Sequence, residues 1–223
     1  MSYWKNKPAV IPGGSSGLGR ALAEVLLDRG ARVAIVARGQ EALNKAVAEL
    51  QSLPLPPGEG RGEGALFAHA ADVTSAADVE RLAIAVHERW QGVDFVAHCA
   101  GRSMRGDAIT TSPEQFQELW ELNFLSAVRI AQAFATALCH AHGHLVLVSS
   151  LAGKCAPRFL GAYPASKFPL TAFAQQLRLE LGPRGMHTLL VSPGPIARED
   201  ASRRYGEQAT GLPDSANRPG AGA

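Results

Sequence analysis

The sequence has few of the residues that identify specialised classes of protein. Three cysteines in 223 residues are too few and too widely spaced for a disulfide framework or a zinc site, so we expect reduced thiols. The 22 Lys and Arg nearly balance the 20 Asp and Glu, which gives a formal net charge of +2. Because so small a charge creates no strong basic field, we expect a small-molecule partner and no binding of nucleic acid.

Long apolar runs are also absent. No stretch of about 18 uninterrupted apolar residues is present, so no membrane span is expected. Residues 1–7 are polar and aromatic where a signal peptide requires an apolar core. Together these absences predict a cytoplasmic protein.

Short apolar runs alternate regularly with stretches of helical period. The runs are apolar throughout rather than at every second residue, which is typical of parallel strands covered by helices on both faces. They comprise residues 9–11, 33–37, 66–70, 93–97, 145–148 and 189–191. Six such alternations predict a doubly wound parallel sheet in a three-layer α/β/α fold, similar to the Rossmann fold.

A glycine-rich turn follows the first apolar run and leads directly into a helical pattern. Its glycines allow a tight turn, close approach of the backbone to a pyrophosphate and close packing of helix on strand, and the helix N-terminus supplies amide donors. A P-loop is excluded because no Lys followed by Ser or Thr ends the glycine run. The predicted phosphate-binding residues are Gly13, Ser15, Ser16, Gly17, Leu18 and Gly19.

The end of the second strand carries a cation where many dinucleotide-binding proteins have an acidic residue. An acidic side chain there binds the ribose hydroxyls of NAD, whereas a cation pairs with the 2′-phosphate of NADP. Arg38 therefore favours NADP(H) over NAD(H). The alternative interpretation is an ordinary solvated arginine.

A second group of polar residues follows the fifth strand. Ser150 lies thirteen residues before Tyr163, and Lys167 follows four residues later, on the same face of a helix as Tyr163. A neighbouring ammonium lowers the pKa of a phenol from about 10, so that the phenol can exchange a proton with a carbonyl or an alcohol. Ser149, the preceding residue, is the other candidate for the serine.

These motifs occur in the same order as in short-chain dehydrogenases/reductases, and the chain resembles that family over about residues 8–196. The resemblance adds an Asp-Val after the third strand, a partial Asn-Asn-Ala-Gly after the fourth, an Asn in the fourth helix and a Pro-Gly after the sixth strand. The matching residues are Asp72, Val73, His98, Cys99, Ala100, Gly101, Asn123, Pro193, Gly194 and Ile196.

The resemblance implies an oxidoreductase that interconverts a ketone or aldehyde with its alcohol. Tyr163 would be the general acid in reduction, and Ser150 would orient the substrate oxygen. Lys167 would bind the nicotinamide ribose and lower the pKa of Tyr163, while Asn123 would hold a water in the proton relay.

The same resemblance implies further contacts with the cofactor. The Asp72 carboxylate would meet the adenine amino group, and the backbone amide of Ile196 would meet the nicotinamide carboxamide. The remaining residues implied to bind the cofactor are Val73, Ala100, Gly101, Tyr163, Lys167, Pro193 and Gly194.

Several residues depart from the family pattern. Pro12 replaces the usual Thr, which predicts a looser glycine turn. His98 and Cys99 replace two Asn, and we interpret both as satisfied strand-end residues. Pro169 lies beyond the first turn of the catalytic helix, so we expect a bend there that displaces Lys167 relative to Tyr163.

The end of the chain departs most. Only 29 residues follow Gly194, and none forms a convincing strand, so we expect the usual seventh strand to be missing. We predict a single dinucleotide-binding catalytic domain over residues 1–196 and a truncated, mobile tail over residues 197–223. Residues 53–64, rich in Pro and Gly, are expected to be an exposed loop.

Two interpretations of function stay open. The first is an NADP-dependent oxidoreductase that forms a homodimer or homotetramer through helix packing. The alternative is a shortened nucleotide-binding protein with weak or no catalysis. A metal site at His140, His142 and His144 is disfavoured, because Cys139 is the only carboxylate or thiolate beside them.

Overall fold

The structure is a computed structural model that describes residues 2–52, 64–196, 208 and 210–213. Six strands form one parallel sheet in the order β3-β2-β1-β4-β5-β6. The strands are β1 (Pro8–Pro12), β2 (Arg32–Ala37), β3 (Leu66–Ala70), β4 (Phe95–His98), β5 (His144–Val148) and β6 (His187–Val191).

Seven α-helices connect and cover the strands in the described part of the chain. They are α1 (Gly17–Asp28), α2 (Gln40–Ser52), α3 (Ala76–Trp90), α4 (Pro113–Trp120), α5 (Ser126–His140), α6 (Tyr163–Lys167) and α7 (Pro169–Leu181). A π-helical turn, Glu121–Leu125, joins α4 to α5. Short 3₁₀ turns follow β5 at Leu151–Gly153 and α7 at Gly182–Arg184.

Apolar residues are buried on both faces of the sheet, which confirms the predicted three-layer fold. Alternate residues of one strand point to opposite faces. On one face, Val10 of β1 packs with residues of α3, α5 and α7. On the other face, Ile11 packs with residues of α1 and α2.

The two outer strands are less buried than the central four. Residues of β3 are half-buried or exposed, and Leu189 and Val191 of β6 are 43% and 41% exposed. Within the described residues no seventh strand is present, so β6 is an edge of the sheet there. Most of residues 197–223 and nearly all of the predicted loop at 53–64 lie outside the described residues, so the tail, the loop and the domain division stay predictions.

The helical segment Pro113–His140 is long and apolar enough, by length and composition alone, to cross a membrane. A helix buried in a protein core can have the same composition. Ile130, Phe134 and Leu138 of this segment are at most 2% exposed and pack against the sheet. These three residues are part of the protein core.

Candidate active site

The carboxyl ends of β1 and β4 meet at the point where the strand order reverses, and the glycine turn lies there. A Cβ on Gly13, which has a φ of +83°, would lie 2.6 Å from the backbone nitrogen of Ala100. A Cβ on Gly19 would lie 2.3 Å from the carbonyl oxygen of Gly13. Both positions therefore require glycine, and the turn packs directly on the end of β4.

Hydrogen bonds fix this turn to the strands on both sides despite Pro12. The amides of Gly13 and Gly14 donate to the Val36 carbonyl at 2.8 and 3.2 Å. The amide of Cys99 donates to the Pro12 carbonyl at 2.8 Å. The turn is therefore anchored without the hydroxyl and amide of a threonine at position 12.

The first turn of α1 is available to an anion. Ser16, at the N-cap, makes no side-chain capping hydrogen bond, and the described first turn of α1 contains no acidic residue. Ser16, Gly17 and Leu18 are exposed, while Ser15 is half-buried. Free amides at a helix N-terminus are suited to bind phosphate.

The two residues predicted to bind the adenosine part of the cofactor lie close together. Arg38 Nη1 is 3.9 Å from Asp72 Oδ2, and 69% of the Arg38 side chain is exposed. The other Asp72 oxygen accepts hydrogen bonds from the Thr74 amide and hydroxyl, at 2.9 and 2.7 Å. Val73 is buried beneath them.

Lys167 is a buried cation in the part of the chain that the structure describes. It is 4% exposed, and its Nζ donates to the Val148 carbonyl oxygen at 2.9 Å. A Cβ on Gly101 would lie 3.3 Å from this Nζ. Burial lowers the pKa of Lys167 to about 8, while the nearby Cys99 opposes the shift.

Tyr163 begins α6 and Lys167 ends it, so the two residues lie one helical turn apart as predicted. The half-buried Tyr163 side chain packs against a small apolar cluster that contains Met104, Leu119 and Ala162. The helix is divided after Lys167, because Pro169 begins α7. Phe168, between the two helices, keeps α-helical dihedral angles (φ −56°, ψ −43°), so Pro169 interrupts the helical hydrogen bonds without the predicted bend, and Lys167 remains held against β5.

The two serines after β5 have different surroundings. Ser149 is 5% exposed and its hydroxyl donates to the Lys167 carbonyl at 3.5 Å. Ser150 is half-buried, and its Oγ accepts from the Ala152 amide at 3.1 Å, which leaves its hydrogen for another acceptor. Pro193 lies beside them, with its carbonyl accepting from the Leu151 amide at 3.0 Å.

Asn123 lies in the π-helical turn and is fully buried. Its Oδ1 accepts from the Arg102 amide, and its Nδ2 donates to the Arg102 carbonyl, both at 2.9 Å. The second Nδ2 hydrogen goes to Ser166 Oγ at 2.8 Å. A relay water at Asn123 would therefore use a main-chain atom or the remaining lone pair of Oδ1.

Two loops next to Tyr163 are joined to each other. The Gly106 amide donates to the Phe159 carbonyl at 3.1 Å, and the Gly161 amide donates to the Gly106 carbonyl at 2.9 Å. The Ala162 amide points at Met104 Sδ, 3.3 Å away. Met104 and Ala162 of these loops pack with the Tyr163 side chain.

The remaining predicted residues lie at the edges of this region or outside the description. Gly194 packs near the Leu151 side chain, and Ile196 is 56% exposed. Among the described residues, no group of three or more His, Cys, Asp or Glu is placed to hold a metal. The ring of His144 stacks on that of His187, with centroids 4.9 Å apart.

Sequence reasoning missed the serines that connect the site. Ser166 donates to the Tyr163 carbonyl at 2.7 Å, and Ser126 lies 2.9 Å from the ring of His98. Each serine stands three residues after a predicted site residue, Tyr163 or Asn123, in an otherwise apolar helix face. A polar residue at that spacing is a signal that could have identified both.

The parallel sheet, the helices on both of its faces and the glycine turn at the reversal of strand order define a Rossmann-like α/β protein. The family model described as short chain dehydrogenase matches residues 7–209. The chain belongs to the short-chain dehydrogenase/reductase family.

Individual relatives agree with this assignment. Dehydrogenase/reductase SDR family member 7B from Bos taurus is 34% identical over 200 residues, which cover 87% of this chain but 59% of the bovine protein. The human protein dehydrogenase/reductase SDR family member 2, mitochondrial, is 32% identical over 201 residues, which cover 90% of this chain and 68% of the relative. The chain thus spans about three fifths of the bovine relative.

Solved structures of the same family superpose closely. A short-chain dehydrogenase/reductase from Mycobacterium ulcerans matches 93% of this chain and 74% of its own, with a TM-score of 0.81 and 26% identity. A single-residue variant of the actinorhodin polyketide ketoreductase, solved with NADPH, matches 96% of this chain and 79% of its own, with a TM-score of 0.82 and 28% identity.

Proposed function

We propose that the protein is an NADP(H)-dependent oxidoreductase that interconverts a ketone or aldehyde with its alcohol. The observation that carries this proposal is a buried ammonium, that of Lys167, one helical turn from Tyr163 and beside Gly101. Family membership supports the reaction class, and the ketoreductase solved with NADPH supports the choice of cofactor. Activity, substrate and partners of this chain are inferred.

The residues present fit a nicotinamide dinucleotide. The glycine turn is so tight that a Cβ at Gly13 or Gly19 would clash with backbone, and it leads into the first turn of α1, which is exposed and has no side-chain cap. Main-chain amides there would hold the pyrophosphate, and Arg38 and Asp72 would contact the adenosine part. When bound, the cofactor supplies or accepts the hydride.

Residues of the chain would transfer the proton to and from the substrate oxygen. Tyr163 donates its phenolic proton to the oxygen of the carbonyl as that oxygen gains charge, and takes the proton back in the oxidation direction. Ser150 donates a hydrogen bond to the same oxygen and so fixes its place. The Lys167 ammonium stabilises the phenolate that remains, because opposite charges attract strongly where water is excluded.

The test is consumption of NADPH by the purified protein with a panel of ketones and aldehydes. Tyr163→Phe keeps the ring and removes the proton, so we expect turnover to fall by about 10²-fold or more while NADPH still binds. Tyr3→Phe, at a position that is 61% exposed, is the matched control and is expected to keep full activity. Binding of NADPH without consumption of any carbonyl would instead support the non-catalytic alternative.

The preference for NADP(H) has its own test. Arg38→Gln removes the charge available to a 2′-phosphate, so we expect the Kd of NADPH to rise about tenfold or more and that of NADH to change by about twofold or less. Arg184→Gln, at another exposed arginine, serves as the control. Equal effects of Arg38→Gln on both cofactors would overturn the preference.

Association and location are also proposals. The exposed outer faces of α5 and α7 are suited to pack against a second copy, which favours a homodimer or homotetramer. Light scattering on the purified protein measures this directly, and a monomer at micromolar concentration would contradict it. The cytoplasm is proposed from the composition, although one relative is named as mitochondrial.

A further inference from the structure

Four fully buried polar side chains connect the end of β4 with the catalytic helix α6. His98 and Ser166 are 1% exposed, and Asn123 and Ser126 are 0% exposed. Burial of a polar side chain is unfavourable unless its hydrogen bonds are made. Each member is therefore expected to have a definite partner.

The contacts of Ser126 assign the direction of its hydrogen bond with His98. The Ser126 hydroxyl donates its single hydrogen to the Leu122 carbonyl. The hydrogen in the 2.9 Å contact between His98 Nε2 and Ser126 Oγ must then belong to the histidine. Burial and the nearby Lys167 charge lower the pKa of His98 to about 3, so the ring is neutral and carries its proton on Nε2.

Ser126 completes the π-helical turn that contains Asn123. In an α-helix the Ser126 amide would donate to the Leu122 carbonyl, four residues earlier. Here that amide donates to Glu121, five residues earlier, and the Ser126 hydroxyl reaches the Leu122 carbonyl instead. His98 thus holds the hydroxyl that satisfies this carbonyl.

The π-helical turn is hydrogen-bonded to α6, the helix that contains Tyr163 and Lys167. Asn123 Nδ2 donates to Ser166 Oγ at 2.8 Å, and Ser166 donates to the carbonyl of Tyr163 at 2.7 Å. Lys167 follows Ser166 directly and is held by β5. A continuous series of hydrogen bonds and one helical turn therefore runs from His98 to Tyr163.

We propose that His98 is a positioning residue of the active site, which acts through Ser126 and the Asn123 turn to hold Tyr163 and Lys167 in their reactive arrangement. The proposal rests on the proposed oxidoreductase function. It assigns a role to the residue at which this chain departs from the Asn of the family motif. His98 itself need not touch the substrate or the cofactor.

The test compares two replacements of similar size. His98→Gln keeps an N–H donor that reaches about as far as Nε2, whereas His98→Met fills the space without a donor. We expect His98→Met to lower kcat about tenfold or more, with the KM for the carbonyl and the Kd of NADPH changed by about twofold or less. His98→Gln is expected to restore kcat to within about threefold of the unmodified protein.

A second variant tests the route through Ser126. Ser126→Ala removes this hydrogen bond from its other end together with the hydrogen bond to the Leu122 carbonyl, so the double variant His98→Met/Ser126→Ala should lose no more kcat than Ser126→Ala alone. Equal kcat for the Gln and Met variants would overturn the proposal. Losses that multiply in the double variant would overturn it as well.

Hydrogen exchange separates this proposal from the proposed function. Amides of residues 122–127 are expected to exchange faster in His98→Met and Ser126→Ala than in His98→Gln. If the unmodified protein does not oxidise NADPH with any carbonyl of the panel, the proposed function fails, but the exchange comparison still decides whether His98 supports the turn. Identical exchange in all variants would overturn the positioning role even if the enzyme is active.

Discussion

At the residue scale, Lys167 is a buried ammonium whose described partner is the Val148 carbonyl and not a carboxylate. Burial of such a charge lowers the stability of the folded protein, and replacement by an apolar side chain of similar length is often stabilising. Under the proposed function, the cation one helical turn from Tyr163 would favour the phenolate. Stability and activity are therefore expected to conflict at this position.

We predict that Lys167→Met raises the melting temperature of the cofactor-free protein at pH 7 while it abolishes carbonyl reduction. The folded protein loses the Lys167 proton near pH 8, whereas the unfolded chain keeps it to about pH 10.5. The free energy of unfolding of the unmodified protein therefore rises between about pH 8 and pH 10.5, and the difference from that of Lys167→Met becomes smaller. Urea unfolding at pH 7, 9 and 10 measures this difference, with Lys45→Met at an exposed lysine as control. A difference that does not change with pH would contradict the prediction.

The buried His98 is expected to affect the stability of the protein at acidic pH. Its pKa in the folded protein is about 3, below the ordinary value of 6.5, so the unfolded chain binds a proton as the pH falls below 6.5 while the folded chain stays neutral. The free energy of unfolding should then fall by up to about 1.4 kcal/mol for each pH unit in this window.

We expect His98→Gln to make unfolding less dependent on pH between 6 and 4, as measured by urea titration. His87→Gln, at an exposed histidine, is the matched control. The other buried or half-buried histidines are present in both proteins, so their contributions cancel. If the free energy of unfolding changes equally with pH in His98→Gln and in the unmodified protein, His98 does not cause the loss of stability at low pH.

Local spacing made some site residues predictable and hid others. Tyr163 and Lys167 are four residues apart in one helix, so the sequence alone indicates that they share a face. His98 and Ser126 are 28 residues apart and meet only because a π turn rotates the second residue toward the first. No local pattern contains that information.

At the scale of elements, the glycine turn gives the sharpest steric constraint. Gly19 is inside α1, where alanine would ordinarily stabilise the helix by about 1 kcal/mol. Here a Cβ would lie 2.3 Å from the Gly13 carbonyl oxygen, so the turn or the helix must move. Steric conflict therefore outweighs helix propensity at this position.

We predict that Gly19→Ala lowers the free energy of unfolding by about 1–3 kcal/mol and prevents NADPH binding. Gly182→Ala is the control, because a Cβ there meets nothing within 4 Å among the described residues. Chemical unfolding and a cofactor titration by fluorescence provide the two measurements. Unchanged NADPH affinity in Gly19→Ala would place the cofactor elsewhere.

The secondary structure was predictable where hydrophobic periodicity is regular. All six apolar runs form strands, although β4 begins at Phe95 rather than at Val93, and β6 begins two residues before its run. The apolar stretch over residues 116–138 lies in one helical segment, which contains the π turn. The π turn adds one residue to a helical turn and so shifts the apolar face of the helix only slightly. In an almost uniformly apolar stretch, the sequence does not show so small a shift.

At the scale of the whole molecule, the proposed cofactor site draws on both halves of the sheet. Gly13 follows β1, and the backbone that it contacts follows β4. A ligand bound across this junction stabilises only the folded chain in which both halves are docked. Cofactor binding and global unfolding should therefore be coupled.

We predict that NADPH at about 100 times its Kd raises the free energy of unfolding by about 2.7 kcal/mol in one cooperative transition. Urea unfolding followed by both circular dichroism and tryptophan fluorescence tests this, since Trp4 packs near β4 and Trp90 packs against β3. Adenosine at the same concentration, without a 2′-phosphate or nicotinamide, is the control ligand. Two separate transitions, of which NADPH moves one, would contradict the coupling.

The order of the strands also has a consequence for synthesis of the chain. Gly13 leaves the ribosome long before Ala100, the residue against which it packs. The elements α1, β2, α2, β3, α3 and β4 are synthesised between these two residues. In a nascent polypeptide that has completed only β1–β3, the glycine turn lacks the Cys99 and Ala100 backbone against which it packs. If coenzyme binds at this turn as proposed, it would not assist the first stages of folding, and its protective effect would begin only after the fourth strand has been translated and inserted beside the first.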